Sequence, residues 1–91
     1  MYEKGRKQGS VKFTLKAGRV AKNGAVAGSF NGWRPVKMRK QNDGSFAVAL
    51  DLPPGRHEYK FIVDGQWLHD TDVAAAVMNQ FGSFNSVAVI E

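Results

Sequence analysis

Among the 91 residues there is no cysteine, so no disulfide framework can hold the chain and its fold must rest on packing and hydrogen bonds. Long apolar runs are missing as well. Residues 1–9 carry Glu3, Lys4, Arg6 and Lys7 with no apolar stretch after them, which is neither a signal peptide nor a membrane span. No extended helical period, internal repeat or low-complexity tract is present. A single domain of this size has one thin core and no room for a deep catalytic cleft. These absences lead to the expectation of a soluble, cytoplasmic, non-membrane protein.

The formal charge is +5, of which residues 1–9 contribute +2, leaving +3 for residues 10–91. That remainder is interleaved with Asp43, Asp51, Glu58, Asp64, Asp70 and Asp72 rather than gathered into a phosphate-tracking block. It reads as a solvated surface, with residues 1–9 as a flexible basic tail and residues 10–91 as the folded domain.

Short alternating runs punctuated by Gly, Asn and Asp at the spacing of sandwich strands predict an all-β, antiparallel fold. Ser10–Lys16 places Val11, Phe13 and Leu15 on one face of a strand, and a loop over Ala17–Gly24 leads to a second strand over Ala25–Phe30. Val36–Gln41 and Ser45–Leu50 flank Asn42-Asp43-Gly44. Apolar parity favours a three-residue loop with Gly44 left-handed, opposing Met38 to Val48 and Val36 to Leu50. Pro53-Pro54-Gly55 stops that strand. Asp64-Gly65 is the signal for a two-residue type I′ hairpin between Arg56–Val63 and Gln66–His69. Pairing Val63 with Gln66 sets Ile62 against Trp67 and Phe61 against Leu68. Tyr59, Phe61, Val63 and Leu68 then face the core, while Lys60, Ile62, Trp67 and His69 face outward. Asp70–Gly82 reads as an irregular excursion in which Ala74–Met78 could form one helical turn, and Ser86–Glu91 closes the sheet.

An outward tryptophan near an outward lysine calls for a ligand, because water gains nothing from an uncovered indole. One face of a glucopyranose ring is largely C–H and can lie on the indole, while its hydroxyls reach side chains such as Lys60. A second aromatic plane set at an angle, for which Trp33 is the candidate, would suit the curvature of an α-1,4-linked chain. Taken singly, Trp33 would serve equally as a loop residue folded onto the core, Lys60 as a solvated lysine, and Asn85 as a turn residue.

Three ordered blocks bring these residues together: Gly28-Ser29-Phe30-Asn31-Gly32-Trp33, Tyr59 to Trp67, and Phe81-Gly82-Ser83-Phe84-Asn85-Ser86. Over residues 10–91 they resemble the glycogen-binding modules of the carbohydrate-binding module family 48 type. Such modules occur in the β subunit of AMP-activated protein kinase and before the catalytic domains of branching and debranching enzymes. The resemblance implies an immunoglobulin-like antiparallel β-sandwich in which Trp33 and Trp67 stack on glucose rings. It further implies that Lys60 and Asn85 contact hydroxyls, that Phe81 presses on the sugar, and that Ser83 adds a hydrogen bond. The sequence departs from the kinase modules at Phe81, Thr71 and Ser86, where leucine, proline and a second asparagine are common.

Enzyme readings fail on the residues. His57-Glu58 lacks the second histidine of a zinc-binding helix, and Asp70 and Asp72 lack a cleft between them. No catalytic residue, metal ligand set or cofactor motif is expected. The implied partner is an α-glucan, together with an associated enzyme or kinase or a fused catalytic domain. The competing classes are a protein–protein interaction sandwich and a binder of single-stranded nucleic acid.

Overall fold

The computed structural model of the protein describes residues 1–17, 21–73 and 75–90. Among the described residues the strands are β1 (Tyr2–Lys4), β2 (Ser10–Leu15), β3 (Gly24–Gly28), β4 (Val36–Lys37), β5 (Arg39–Lys40), β6 (Phe46–Asp51), β7 (Gly55–Val63), β8 (Gln66–Leu68), β9 (Ala76–Met78) and β10 (Phe84–Ile90). One 3-10 turn, Ser29–Asn31, follows β3. Four strands form one sheet in the order β1-β2-β6-β5, and six form the other in the order β4-β3-β7-β10-β9, with β8 added to β7. Every pairing is antiparallel, and the two sheets make an immunoglobulin-like sandwich.

Val11, Phe13, Val26, Met38, Phe46, Tyr59, Phe61 and Ala88 meet in the core between the sheets. Tyr59 is its hub. Its ring lies edge-on to Phe13 at 5.0 Å and to Phe61 at 5.6 Å, and the Tyr2 ring closes on it from β1 at 6.1 Å. The Tyr59 hydroxyl donates to buried Asp70 at 2.6 Å, and Asp70 also meets the amino group of Met1. The Asp70 backbone N–H donates to the Ser86 hydroxyl at 2.5 Å, on the residue that pairs with Tyr59 in the sheet. Burial, then the contact with Asp70, pushes the Tyr59 phenol far above its ordinary range.

The Asp64-Gly65 hairpin forms as its chemistry demands, with φ of 47° and 88° and Val63 paired to Gln66. The Asp64 carboxylate also accepts from the backbone N–H groups of Lys22 and Asn23, tying the loop before β3 to this turn. Gly44 has φ of 88°, and Arg39 pairs with Ala47, the register in which Met38 opposes Val48. Asp43 stabilises this turn by accepting from the Ser45 hydroxyl and N–H, contacts that hold its carboxyl below the usual range.

Several expectations are corrected. Residues 1–9 are not a loose tail throughout, because Tyr2–Lys4 pairs with the edge of β2 and thereby satisfies backbone groups on both strands. The Val36–Gln41 strand is divided: Val36–Lys37 joins β3 in one sheet, and only Arg39–Lys40 pairs with β6 in the other. Met38 sits at the crossing and is buried. Phe30 belongs to the 3-10 turn rather than to β3, and its ring stacks on Phe13 at 6.0 Å. Instead of a helical turn, Ala76–Met78 is a strand, since pairing with Phe84–Ser86 supplies partners that a helix of this length could not. Leu68 has the inward parity but is 44% exposed, because β8 is a three-residue addition at the margin of its sheet. The expected loop at 17–24, the helical turn at 74–78 and the closing strand at 86–91 each fall partly outside the described residues.

Two measurements check this account. A Cβ on Gly28 would lie 2.3 Å from the Phe30 ring and 2.6 Å from the Glu58 carbonyl. Gly28→Ala is therefore expected to cost about 1–3 kcal/mol in urea denaturation. For Tyr59, both states hold the phenolic proton below pH of about 10, and above it only the unfolded chain releases it. Stability should thus fall as pH rises past that point, and Tyr59→Phe should remove that part of the alkaline slope while lowering stability at neutral pH.

Candidate functional site

The outer face of the six-stranded sheet carries an open groove of about 600 Å³. It lies where the neighbour of β7 changes along one edge. Residues Gly55–Tyr59 pair with β10, whereas Phe61–Val63 pair with β8. Lys60 occupies the junction, with Tyr59 and Phe61 on either side turned into the core. Period-two alternation thus sends Glu58 and Lys60 to the face opposite the aromatic hub.

Trp67, paired with Ile62 across the hairpin, stands on this outer face and is 46% exposed. Trp33 is half-buried and lines the same groove. It is placed by the loop after β3. The Phe30 ring anchors that loop in the core, the Ser29 hydroxyl accepts from the Glu58 N–H at 3.0 Å, and the Asn31 side chain bridges Gly28 N–H and the Arg34 carbonyl. The chain then turns back through two left-handed residues, Gly32 at φ 69° and Trp33 at φ 64°, and the Trp33 N–H donates to the Gly28 carbonyl at 2.9 Å. For a bulky residue such a φ is costly and persists only where its surroundings impose it.

The third wall is the turn between β9 and β10. Gly82 is left-handed there, with φ of 81°. Phe81 projects from the turn at 84% exposure. Ser83 and Asn85 follow on the groove side, and Ser86 turns inward to Asp70. Ser86 is fully buried, with its hydroxyl against the Asp70 backbone.

All six residues singled out in the sequence, Trp33, Lys60, Trp67, Phe81, Ser83 and Asn85, line this one groove. Lys60 departs from expectation in one respect. It faces outward but is only 9% exposed, and its amine donates to the hydroxyl of Ser83, in the turn between β9 and β10, at 3.0 Å. Ser29, Glu58, Asn79 and Gln80 line the groove as well. Glu58 shares the parity of Lys60, which could have placed it on this face. Asn79, three residues before Gly82, carried only an ordinary turn signal.

Polar groups run along the groove without a break. Asn79 Nδ2 donates to Ser83 Oγ at 2.8 Å and to Asn85 Oδ1 at 3.0 Å, and Asn85 Nδ2 donates to Glu58 Oε1 at 3.1 Å. Such a row, bordered by three aromatic side chains, can bind a ligand with both apolar faces and many hydroxyls. Among the described residues no group of His, Cys, Asp or Glu is gathered to hold a metal ion, and no helix is long and apolar enough to cross a membrane.

Residues 10–91 match the family described as the glycogen recognition site of AMP-activated protein kinase. The 5'-AMP-activated protein kinase subunit β-1 of Sus scrofa is 39% identical over 66 residues, covering 72% of this chain and 52% of that protein. Its Rattus norvegicus counterpart is 43% identical over 67 residues, covering 72% and 24%. Subunit β-2 of Mus musculus is 42% identical over 62 residues, covering 68% and 22%. The chain thus spans about half the length of the first relative and about a quarter or less of the others. Among solved structures, the maltogenic amylase from S. marinus superposes on 100% of this chain and 16% of its own, with a TM-score of 0.79 and 31% identity. With the match spanning all but the first nine residues, the chain belongs to the family described as the glycogen recognition site of AMP-activated protein kinase.

Proposed function

We propose that residues 10–91 form a non-catalytic module that binds α-1,4-linked glucans such as glycogen, starch and malto-oligosaccharides, and that the groove is the binding site. The observation that carries this reading is the meeting of Trp33, Trp67 and Phe81 around the row of Lys60, Ser83 and Asn85. Glucose rings lie against the aromatic planes and lose apolar contact with water, while their hydroxyls exchange water for the polar row. Lys60 has donors beyond the one given to Ser83, and Asn85 keeps a second N–H. Membership of a family described by glycogen recognition supports the same ligand class, as does likeness to a maltogenic amylase.

No catalysis is assigned to the groove. Glu58 is its only carboxylate among the lining residues, and glycoside hydrolysis requires a pair flanking the scissile bond. The module's role is to bring an associated enzyme or kinase to polysaccharide, a role suited to a domain that covers a small share of its longer relatives. A few stacking planes and hydroxyl contacts would yield about 4–8 kcal/mol, corresponding to millimolar to micromolar dissociation constants.

Titrating tryptophan fluorescence with maltoheptaose, a cyclodextrin and oligonucleotides tests the reading. A sugar response that survives high salt is expected, whereas a salt-sensitive nucleotide response alone, or silence to all three, would refute it. Trp67→Ala should abolish co-sedimentation with glycogen while shifting Tm by no more than about 4 °C, as befits an exposed side chain. Lys60→Ala should weaken retention and also lower stability by about 1 kcal/mol, because its stem is covered.

A further inference from the structure

We propose that Asn79 occupies an acceptor position on the Ser83 hydroxyl and, together with Glu58, orients the Asn85 amide, and so decides which groups remain to read sugar hydroxyls. The inference rests on the glucan reading of the groove. It starts from two groups whose roles cannot be exchanged: the backbone N–H groups of Phe81 and Ser83 point at one atom of the Asn79 side chain, at 2.9 and 3.2 Å. A backbone N–H can only donate, so that atom is the carbonyl oxygen and the other is the amide nitrogen.

The neighbouring groups are consistent with that orientation. The Asn79 nitrogen must donate to Ser83 Oγ and to Asn85, which therefore turns its oxygen toward Asn79 and its nitrogen toward Glu58. Ser83 Oγ receives a second donor, the Lys60 amine. A hydroxyl has two lone pairs and one hydrogen; with both lone pairs occupied, the hydrogen is left for a ligand. Glu58 accepts from Asn85 on Oε1 only, leaving Oε2 as an acceptor. The groove thus offers fixed donors at Ser83, Lys60 and Asn85 and a fixed acceptor at Glu58. That set suits neighbouring hydroxyls of one ring, of which one accepts from Ser83 while the other donates to Glu58. Asn79 itself, with two bonds accepted and two donated, has no capacity left for sugar and acts as a positioning residue.

Asn79→Asp separates this role from a merely structural one. It retains an acceptor for the Phe81 and Ser83 amides but cannot donate, so the Ser83 hydrogen turns to the new carboxylate and ceases to serve the ligand. Calorimetric titration with maltoheptaose should show about fivefold weaker binding for Ser83→Ala in the parent chain, the worth of one hydrogen bond. Asn79→Asp should weaken binding at least as much, with the Phe81 and Ser83 amides still protected from hydrogen exchange. In the Asn79→Asp background, Ser83→Ala should cost less than about twofold.

Independent, multiplying losses would overturn the proposal, as would parent-like binding by Asn79→Asp. Loss of amide protection together with multiplying losses would reduce Asn79 to a loop anchor. A parent chain that ignores maltoheptaose overturns the glucan reading and this inference with it, whereas failure of the coupling in a parent that binds overturns this inference alone.

Discussion

The contact between the Tyr59 hydroxyl and the Asp70 carboxylate organises the molecule. A buried carboxylate is costly unless its oxygens are occupied, and Asp70 meets that condition through Tyr59, the Asp72 N–H and the amino group of Met1. Satisfying it draws the end of the β8 hairpin, the middle of β7 and, through Ser86, the start of β10 to one point. The aromatic hub closes around that point on one side of the sheet. On the other side, one residue along, lies Lys60 at the floor of the groove.

This coupling explains how so thin a domain holds an ordered groove. Alternate residues of β7 serve the two faces, so the same backbone ladder that seats Tyr59 and Phe61 also seats Glu58 and Lys60. The loops that complete the site are each fastened independently: the first by Phe30 in the core and Ser29 against β7, the second by Asn79 and left-handed Gly82. Both loops take their shape from contacts within the chain.

How much of this could be read from the chain depended on how local the determining physics is. Asp64-Gly65 specifies its own turn, and strict alternation beyond it fixes the outward placement of Trp67, so register and exposure were both legible. The Asn42-Asp43-Gly44 turn was equally self-contained, yet the strand preceding it switches sheets at Met38, a choice made by partners far away in sequence. Tyr2–Lys4 and Ala76–Met78 have little signal of their own and become strands because β2 and β10 present free edges. Within the groove, the aromatic residues and Lys60 were legible through three motif blocks, whereas Glu58 went unread although its parity with Lys60 could have placed it there. The contact of Lys60 with Ser83 and the bonds of Asn79 were not legible, since both are made in the turn between β9 and β10.

The backbone of Trp33 carries one more implication. Holding an indole on a left-handed residue consumes free energy that the Gly28 and Asn31 contacts must offset. Those contacts lie within the protein, so the backbone that carries the ring is held by the fold itself. A wall fastened in this way lowers the ordering cost of an encounter, so the strength of binding reflects the contacts made rather than the folding of a loop.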